Sequence, residues 1–185
     1  IRVRIQLPYP TGGWADVGNN FTDDDKHRSA ISQVSVNSVF IQHQLDTTSY
    51  NIGVQWKGNA TPGKILNHYY VLTPSADTSF EFTCLFLPGQ PKPLNEFTFA
   101  QVQNNSRQQW KNFWQSGAAV DFAGSTDARA KELERRIVLS QYLTKVNCAG
   151  NNPPQETGLT FNSWYGKPHI EMHWWHAVHF ALWGR

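Results

Sequence analysis

The sequence is short of charge. Asp, Glu, Lys and Arg make up 16% of its 185 residues, against about 25% in an ordinary soluble domain. A net charge of +2 argues against duplex DNA or an anionic membrane as the main ligand, because both are held by many like charges acting together. No apolar run approaches the ~20 residues that cross a bilayer, so no membrane span is expected. Two cysteines, Cys84 and Cys148, cannot build a disulfide framework. They pair only if the two halves of the chain meet, and otherwise read as two small buried side chains. Internal repeats and low-complexity tracts are missing. So are the usual short motifs. Thr11-Gly12-Gly13 lacks the Lys-Ser/Thr of a phosphate loop, no Gly-x-Ser-x-Gly elbow occurs, and neither cysteine has an activating neighbour. No cofactor is expected.

What is abundant is aromatic surface: 14% of the residues, eight of them Trp. That is too much apolar area for a disordered tail. The chain opens on Ile1 without a signal-peptide pattern and closes on the apolar, aromatic stretch Phe180–Arg185. Both ends read as cuts in a longer polypeptide, whose remainder is then the first partner.

Residues 1–103 read as β. Ile1–Leu7 alternates apolar and polar, the period of a half-buried strand. Val34–Ile41, Tyr50–Trp56, Ile65–Leu72 and Ser79–Leu87 do the same. Pro8–Gly13, Lys57–Asn59, Thr61–Gly63, Thr73–Ser75 and Leu87–Gly89 punctuate them as turns. Gln90–Pro93 is an extended connector and Glu96–Val102 a last strand. Many short strands with turns between them predict an antiparallel β-sandwich. Asp23-Asp24-Asp25 offers hard oxygen ligands for Ca²⁺, but lacks the glycine and distal glutamate of a helix–loop–helix site, and reads as a solvated turn.

Residues 104–185 read as α. Ser106 is the expected N-cap of a helix carrying Trp110, Phe113 and Trp114 on one face, which Gly117 weakens or ends. Ser125-Thr126-Asp127 opens a second helix, with Leu133, Ile137, Leu139, Tyr142 and Leu143 as its apolar face, closing near Asn147. Its charge run is the wet side. Pro168 suits the first position of a third helix running to about Trp183.

The last 31 residues hold four of the Trp residues (Trp164, Trp174, Trp175, Trp183), four histidines (His169, His173, His176, His179) and two carboxylates (Glu156, Glu171). Sugar rings have apolar C–H faces and hydroxyl edges, so their sites combine flat aromatic platforms with hydrogen-bonding groups. The same composition suits a Trp-rich core helix. The histidines at i, i+3, i+4 and i+6 spacing also raise zinc, but His-Glu-x-x-His is absent and no cysteine pair supports it, so no metal is expected there.

Gly158-Leu-Thr-Phe-Asn-Ser-Trp-Tyr-Gly-Lys-Pro-His-Ile-Glu-Met-His-Trp-Trp175, behind a β-rich half and amphipathic helices, resembles the six-hairpin glycosidases. That clan includes the maltose- and kojibiose-phosphorylase family and the α-L-fucosidase/α-L-galactosidase family. Glu171-Met172-His173-Trp174-Trp175 is the more similar to the latter. The resemblance covers about the last 80 residues in order and pattern, and about 20 at motif level. It implies an N-terminal sandwich followed by the first helices of a truncated (α/α)₆ barrel. It implies a bacterial, secreted or periplasmic enzyme that hydrolyses the glycosidic bonds of an oligo- or polysaccharide with inversion, its carboxyl groups ~6.5–9.5 Å apart.

In those relatives this segment lines the sugar subsite beside the scissile bond. The resemblance therefore implies a pocket built by His169, Glu171, His173, Trp174 and Trp175, with Trp164 and Tyr165 at its rim. Trp174 and Trp175 match aromatic positions and Glu171 a Glu/Gln position. Lys167 and His169 stand where the fucosidases carry two asparagines, and His173 replaces a third, which implies a different subfamily or substrate. The clan's general acid comes from a later helix hairpin. Glu156 and Glu171 are the only weak catalytic candidates in this chain, Glu156 otherwise reading as a loop residue and Glu171 as a first-turn carboxylate facing the helix dipole. Two other readings stay open. One is a non-catalytic carbohydrate-binding sandwich with Trp14 or Trp56 exposed on a sheet face. The other is an interaction domain whose Trp-rich helix completes a partner's bundle, leaving an apolar patch near Trp183.

Overall fold

The computed structural model describes residues 1–75, 78–94, 97–159 and 161–185. In chain order the strands are β1 (Val3–Gln6), β2 (Ala15–Asp16), β3 (His27–Ser35), β4 (Ser38–Leu45), β5 (Thr48–Trp56), β6 (Ala60–Leu66), β7 (Tyr69–Pro74), β8 (Phe82–Pro88) and β9 (Asn162–Ser163). The helices are α1 (Phe99–Gln115), α2 (Ala130–Cys148), α3 (Ile170–Ala177) and α4 (His179–Leu182). The fold is thus β + α with antiparallel sheets. Two compact units divide it. Residues 1–10 and 19–108 form a sheet unit; residues 11–18 and 109–185 form a helical unit.

In the sheet unit, β3-β4-β5-β8 form one antiparallel sheet and β1-β7-β6 a second. Alternation sends every other side chain to the same side. On β4 and β5 the register pairs Val39 with Val54 and Ile41 with Ile52. These four join Leu7, Trp56, Tyr70 and Leu72 in a single core shared by both sheets. Ile52 and Val54 are wholly buried, worth about 1.5–3 kcal/mol each relative to exposure. One step further along the same inward rows, His43 pairs with Tyr50 and Ser29 with His43. The core therefore passes from aliphatic to a polar layer of His27, Ser29, His43 and Tyr50, joined by His68 and Tyr70.

Several expected boundaries move. Val34–Ile41 is not one strand but a hairpin turning at Val36-Asn37, and Ile65–Leu72 turns at Asn67-His68. Thr61-Pro62-Gly63 is no turn; it lies inside β6, and Pro88 closes β8. Both strands are sheet edges, where a missing N–H costs no ladder bond. The expected strand Glu96–Val102 is also corrected. Glu96 lies outside the described residues, and Phe99–Val102 is the first turn of α1. Its start is a capping box: the Thr98 N–H donates to Gln101 Oε1 at 3.1 Å, and the Gln101 N–H donates to Thr98 Oγ1 at 3.4 Å. Ser106 is therefore interior to the helix rather than its cap. Thr98→Ala is expected to cost about 1 kcal/mol, read as faster amide exchange confined to the first turn of α1.

In the helical unit, α2 begins at Ala130, a few residues past the expected opening at Ser125-Thr126-Asp127, and Asp127 accepts the Arg129 N–H at 2.8 Å just ahead of it. Its apolar face does not behave as expected. Leu133, Leu139, Tyr142 and Leu143 are exposed, and the one buried residue is Gln141. The single helix expected from Pro168 to Trp183 is two, α3 and α4, and Pro168 precedes the first instead of starting it. Both cysteines are free. Cys84 is exposed on an edge strand and Cys148 half-buried, so neither is the small core residue anticipated.

Candidate functional site

The segment from Gln155 to His179 is shaped by its own backbone. Gly158 is buried, and its neighbour Leu159 donates its N–H to Asn147 Oδ1 at 3.2 Å. The Thr157 hydroxyl donates to the Phe161 carbonyl, and Thr157 Oγ1 accepts the Ser163 N–H at 3.1 Å. β9 then pairs with β2, Ala15 opposite Ser163. Asp16 holds the loop that carries β2. Its carboxylate accepts N–H groups from Gly18 at 2.8 Å and Thr11 at 2.5 Å, and these bonds hold its pKa below the usual carboxylate range. A 3-10 turn over Trp164–Gly166 follows. Trp164 and Tyr165 both adopt left-handed backbone, at φ 51° and 61°, a geometry that costs non-glycine residues about 1–2 kcal/mol each. The Tyr165 N–H donates to the Trp14 carbonyl at 3.1 Å, and the Trp14 and Trp164 rings meet edge-on with centroids 5.6 Å apart.

A groove of about 520 Å³ lies between α2, residues 156–158 with Phe161, and α3–α4. Trp175, His176 and Met172 line it from α3, Asn147 and Thr144 from α2, and Glu156 and Phe161 from the loop. Among the residues that line the groove, Glu156 Oε2 and His179 Nε2 are buried without a hydrogen-bond partner, and Asn162 Oδ1 on β9 shares that state outside the groove. Their chemistry is complementary. Trp183 Nε1, a donor only, bonds His179 Nδ1 at 3.0 Å, which makes Nδ1 the acceptor and places the ring proton on Nε2. The site thus offers one unbonded N–H donor and one carboxylate acceptor without a hydrogen bond. The Trp175 side, 65% exposed, supplies a flat apolar surface beside them.

The expected site residues are divided between places. Glu156 and Trp175 share the groove. His169 sits beside Glu156, with Nδ1 3.5 Å from Oε2, and stacks on Trp164 at 6.3 Å. Tyr165 is exposed, with Lys167 Nζ 5.6 Å from its ring centroid. His173 lines a different cavity, of about 580 Å³, with Phe113, Cys148, Phe180 and Arg185. Glu171 and Trp174 line neither of these two, and Trp174 is 62% exposed. His179, weighed in the sequence only as one of four spaced histidines, is not among the expected pocket residues, although the His179–Trp183 spacing of i, i+4 carries its signal. The helix histidines form no group of three ligands among the described residues. No family model matches the chain, and neither does any curated protein or solved structure.

Proposed function

We propose that this chain is part of a carbohydrate-active enzyme that hydrolyses glycosidic bonds with inversion, and that the groove beside Trp175 forms part of its sugar subsite. The observation that carries the reading is the presence of Glu156 Oε2 and His179 Nε2 on one groove, both buried and neither hydrogen-bonded, with only the 3.5 Å approach of His169 Nδ1 beside the carboxylate, and an exposed indole on the same groove. An unsatisfied buried N–H such as that of His179 costs about 1–3 kcal/mol until something bonds it, and the Glu156 carboxylate, with His169 at 3.5 Å, is also open to a closer donor. A sugar meets all three needs at once: a hydroxyl donates to Glu156, another accepts from His179, and the C–H face lies on Trp175. Glu156 thus takes a substrate-binding role, and the general acid belongs to a further helix hairpin in the barrel that the resemblance implies.

The apolar residues exposed on α2 support that barrel. Leu133, Val138, Leu139, Tyr142, Leu143 and Val146 face solvent, and helices in an (α/α)₆ barrel bury such faces against neighbours. The same faces suit a helix that completes a partner's bundle. A secreted or periplasmic location in a bacterium belongs to the same reading. The non-catalytic sandwich module finds less support: Trp56 is 4% exposed, and Trp14 packs on Trp164 rather than on a sheet face.

Calorimetric titration of the full chain with a panel of soluble oligosaccharides tests the proposal. Trp175→Ala and Glu156→Gln are expected to weaken binding about 10- to 100-fold, the loss of one stacking or charge-assisted contact of about 1.4–2.8 kcal/mol. The melting temperature of Trp175→Ala should stay close to wild type, because the ring is mostly exposed. Binding that both variants leave unchanged, or no saccharide bound by the wild type, overturns the reading.

A further inference from the structure

We propose that Asp24, His27 and His68 form a binding site for a divalent transition metal, Zn²⁺ being the ion its ligand set fits best. One ligand atom from each lies within 4.8 Å of the others, and both imidazoles are buried. The site belongs to the sheet unit and is independent of the saccharide groove.

Each histidine is oriented from behind. His27 Nδ1 lies 2.7 Å from His43 Nε2, and His43 Nδ1 lies 2.7 Å from the Tyr50 hydroxyl. His68 Nδ1 lies 2.7 Å from Ser29 Oγ, which is 2.8 Å from the Tyr70 hydroxyl. Tying one ring nitrogen fixes the ring and leaves the other for a metal, as outer partners do around known metal-binding histidines. The two ligand rings stack at 3.6 Å with 24° between their planes. His68 reaches this place through a left-handed backbone, φ 56°, in the β6–β7 turn, a position where a non-glycine residue is uncommon and worth explaining.

The protons balance without an outside base. His68 Nε2 lies 2.9 Å from the Asp24 carbonyl oxygen, so in the metal-free protein that nitrogen carries the proton. On binding, the ring proton transfers to Nδ1 and is donated to Ser29 Oγ, and Nε2 turns to the metal. In the other chain, His27 Nδ1–H donates to His43 Nε2, and His43 Nδ1–H donates to the Tyr50 oxygen.

A cavity of about 490 Å³ opens over the three ligands, with Gln42, Gln44, Arg28 and Lys64 on its walls. It leaves a fourth position for water or a small anion, which the two cationic side chains favour. The donor set discriminates among ions. Two imidazoles and one carboxylate suit zinc, whereas Ca²⁺ and Mg²⁺ require mostly oxygen. The run Asp23–Asp25 is accordingly not a calcium loop. Asp23 is bound by Lys26 at 3.1 Å and by Asn20 at 2.7 Å, leaving Asp24 to the histidines.

Chelator-treated full chain, titrated with ZnCl₂ at pH 7.5 and separately with Co²⁺ followed by visible absorption, tests the site. We expect one equivalent of Zn²⁺ lost on mutation of the ligands. His68→Gln and His27→Gln should weaken it at least about 100-fold, Asp24→Asn about 10-fold or more, and the outer-shell His43→Gln about 10- to 100-fold. His169→Gln should leave it unchanged. Asp24 is exposed, so Asp24→Asn stays informative if a histidine variant fails to fold. In the wild type, zinc should slow amide exchange around Asp24–His27 and Asn67–His68. Zinc binding that Asp24→Asn and His68→Gln leave intact, or no zinc binding by the wild type, overturns the proposal, whatever the saccharide titration shows.

Discussion

Acidification from pH 6.5 to pH 4 is expected to remove about 3 kcal/mol from the stability of the sheet unit, measured with a chelator present so that no metal contributes. His43 is the cause. It is fully buried on the inward row of β4, and burial, reinforced by His27 and His68, lowers its pKa from 6.5 to about 4. Between these values the unfolded chain binds a proton that the folded chain refuses. Stability therefore rises with pH across this window, is complete above about 6.5, and is lost as pH falls toward 4. His27 is lowered too, by burial and then by His68, with Asp24 and Asp23 opposing, and it adds to the loss in the same direction. The Tyr50 hydroxyl faces the other side of the ring. The measurement is the urea midpoint for exchange protection of β4 and β5 amides at several pH values. His43→Gln should flatten the profile after the carboxylate contribution, common to both proteins, is subtracted. A profile equally steep in wild type and variant would show that His43 is not the group responsible.

The same histidine shows where sequence reading stops. Alternation in Val39, Ile41 and His43 is visible in the sequence, and so is the β character of the first half. What alternation does not show is where a strand folds back. Ser35-Val36-Asn37-Ser38 continues the two-residue rhythm without glycine or proline, yet the chain turns at Val36-Asn37, with Val36 exposed. Conversely, Pro62 and Pro88 read as breaks, but edge strands tolerate them. Pairing His43 with Tyr50, and both with His27 and His68, needs the register of three hairpins, which a sequence alone does not supply. The cap at Thr98 was legible as Thr-x-x-Gln. The β-rich residues before it outweighed it.

For the candidate site, composition drew attention to a segment that lines a groove but not to which of its residues share that groove. Helical spacing puts His169 and His173 one turn apart, and α3 begins only at Ile170, so His169 sits on extended backbone and turns to Glu156. Trp174 and Trp175 are adjacent, so a helix sends them about 100° apart, and only Trp175 reaches the groove. Trp14, 150 residues before its partner Trp164, belongs to the helical unit through a two-residue ladder, a contact too short to leave a sequence pattern.

Replacing Gly117 by Ala is expected to cost about 3 kcal/mol and to reach the groove from a distance. Gly117 ends α1 with φ 69°, and a Cβ there would overlap the Trp183 carbonyl oxygen. The left-handed backbone costs about 1–2 kcal/mol for alanine, and the overlap with a backbone group a further 1–3 kcal/mol. That carbonyl accepts the Ala118 N–H at 2.7 Å. Beside it, Arg185 donates to the Phe113 and Ser116 carbonyls at 3.2 and 2.9 Å. Its guanidinium lies 4.7 Å from the Phe113 ring centroid and bonds the buried Gln141 of α2. The end of α1, the middle of α2 and the last residues are thus held in one joint, where a cation meets the carbonyls of a helix C-terminus. Gly124 is the control. Its φ is 85° with nothing within 4 Å of a Cβ, so Gly124→Ala should cost only the backbone share, about 1 kcal/mol. The difference between the two variants, read from the exchange of α3 and α4 amides, measures the overlap. Because Trp183 Nε1 fixes the tautomer of His179, displacing Trp183 should also weaken saccharide binding in Gly117→Ala and spare it in Gly124→Ala. Equal costs at the two glycines would mean that the Trp183 peptide yields without resistance and that no such joint holds the groove together.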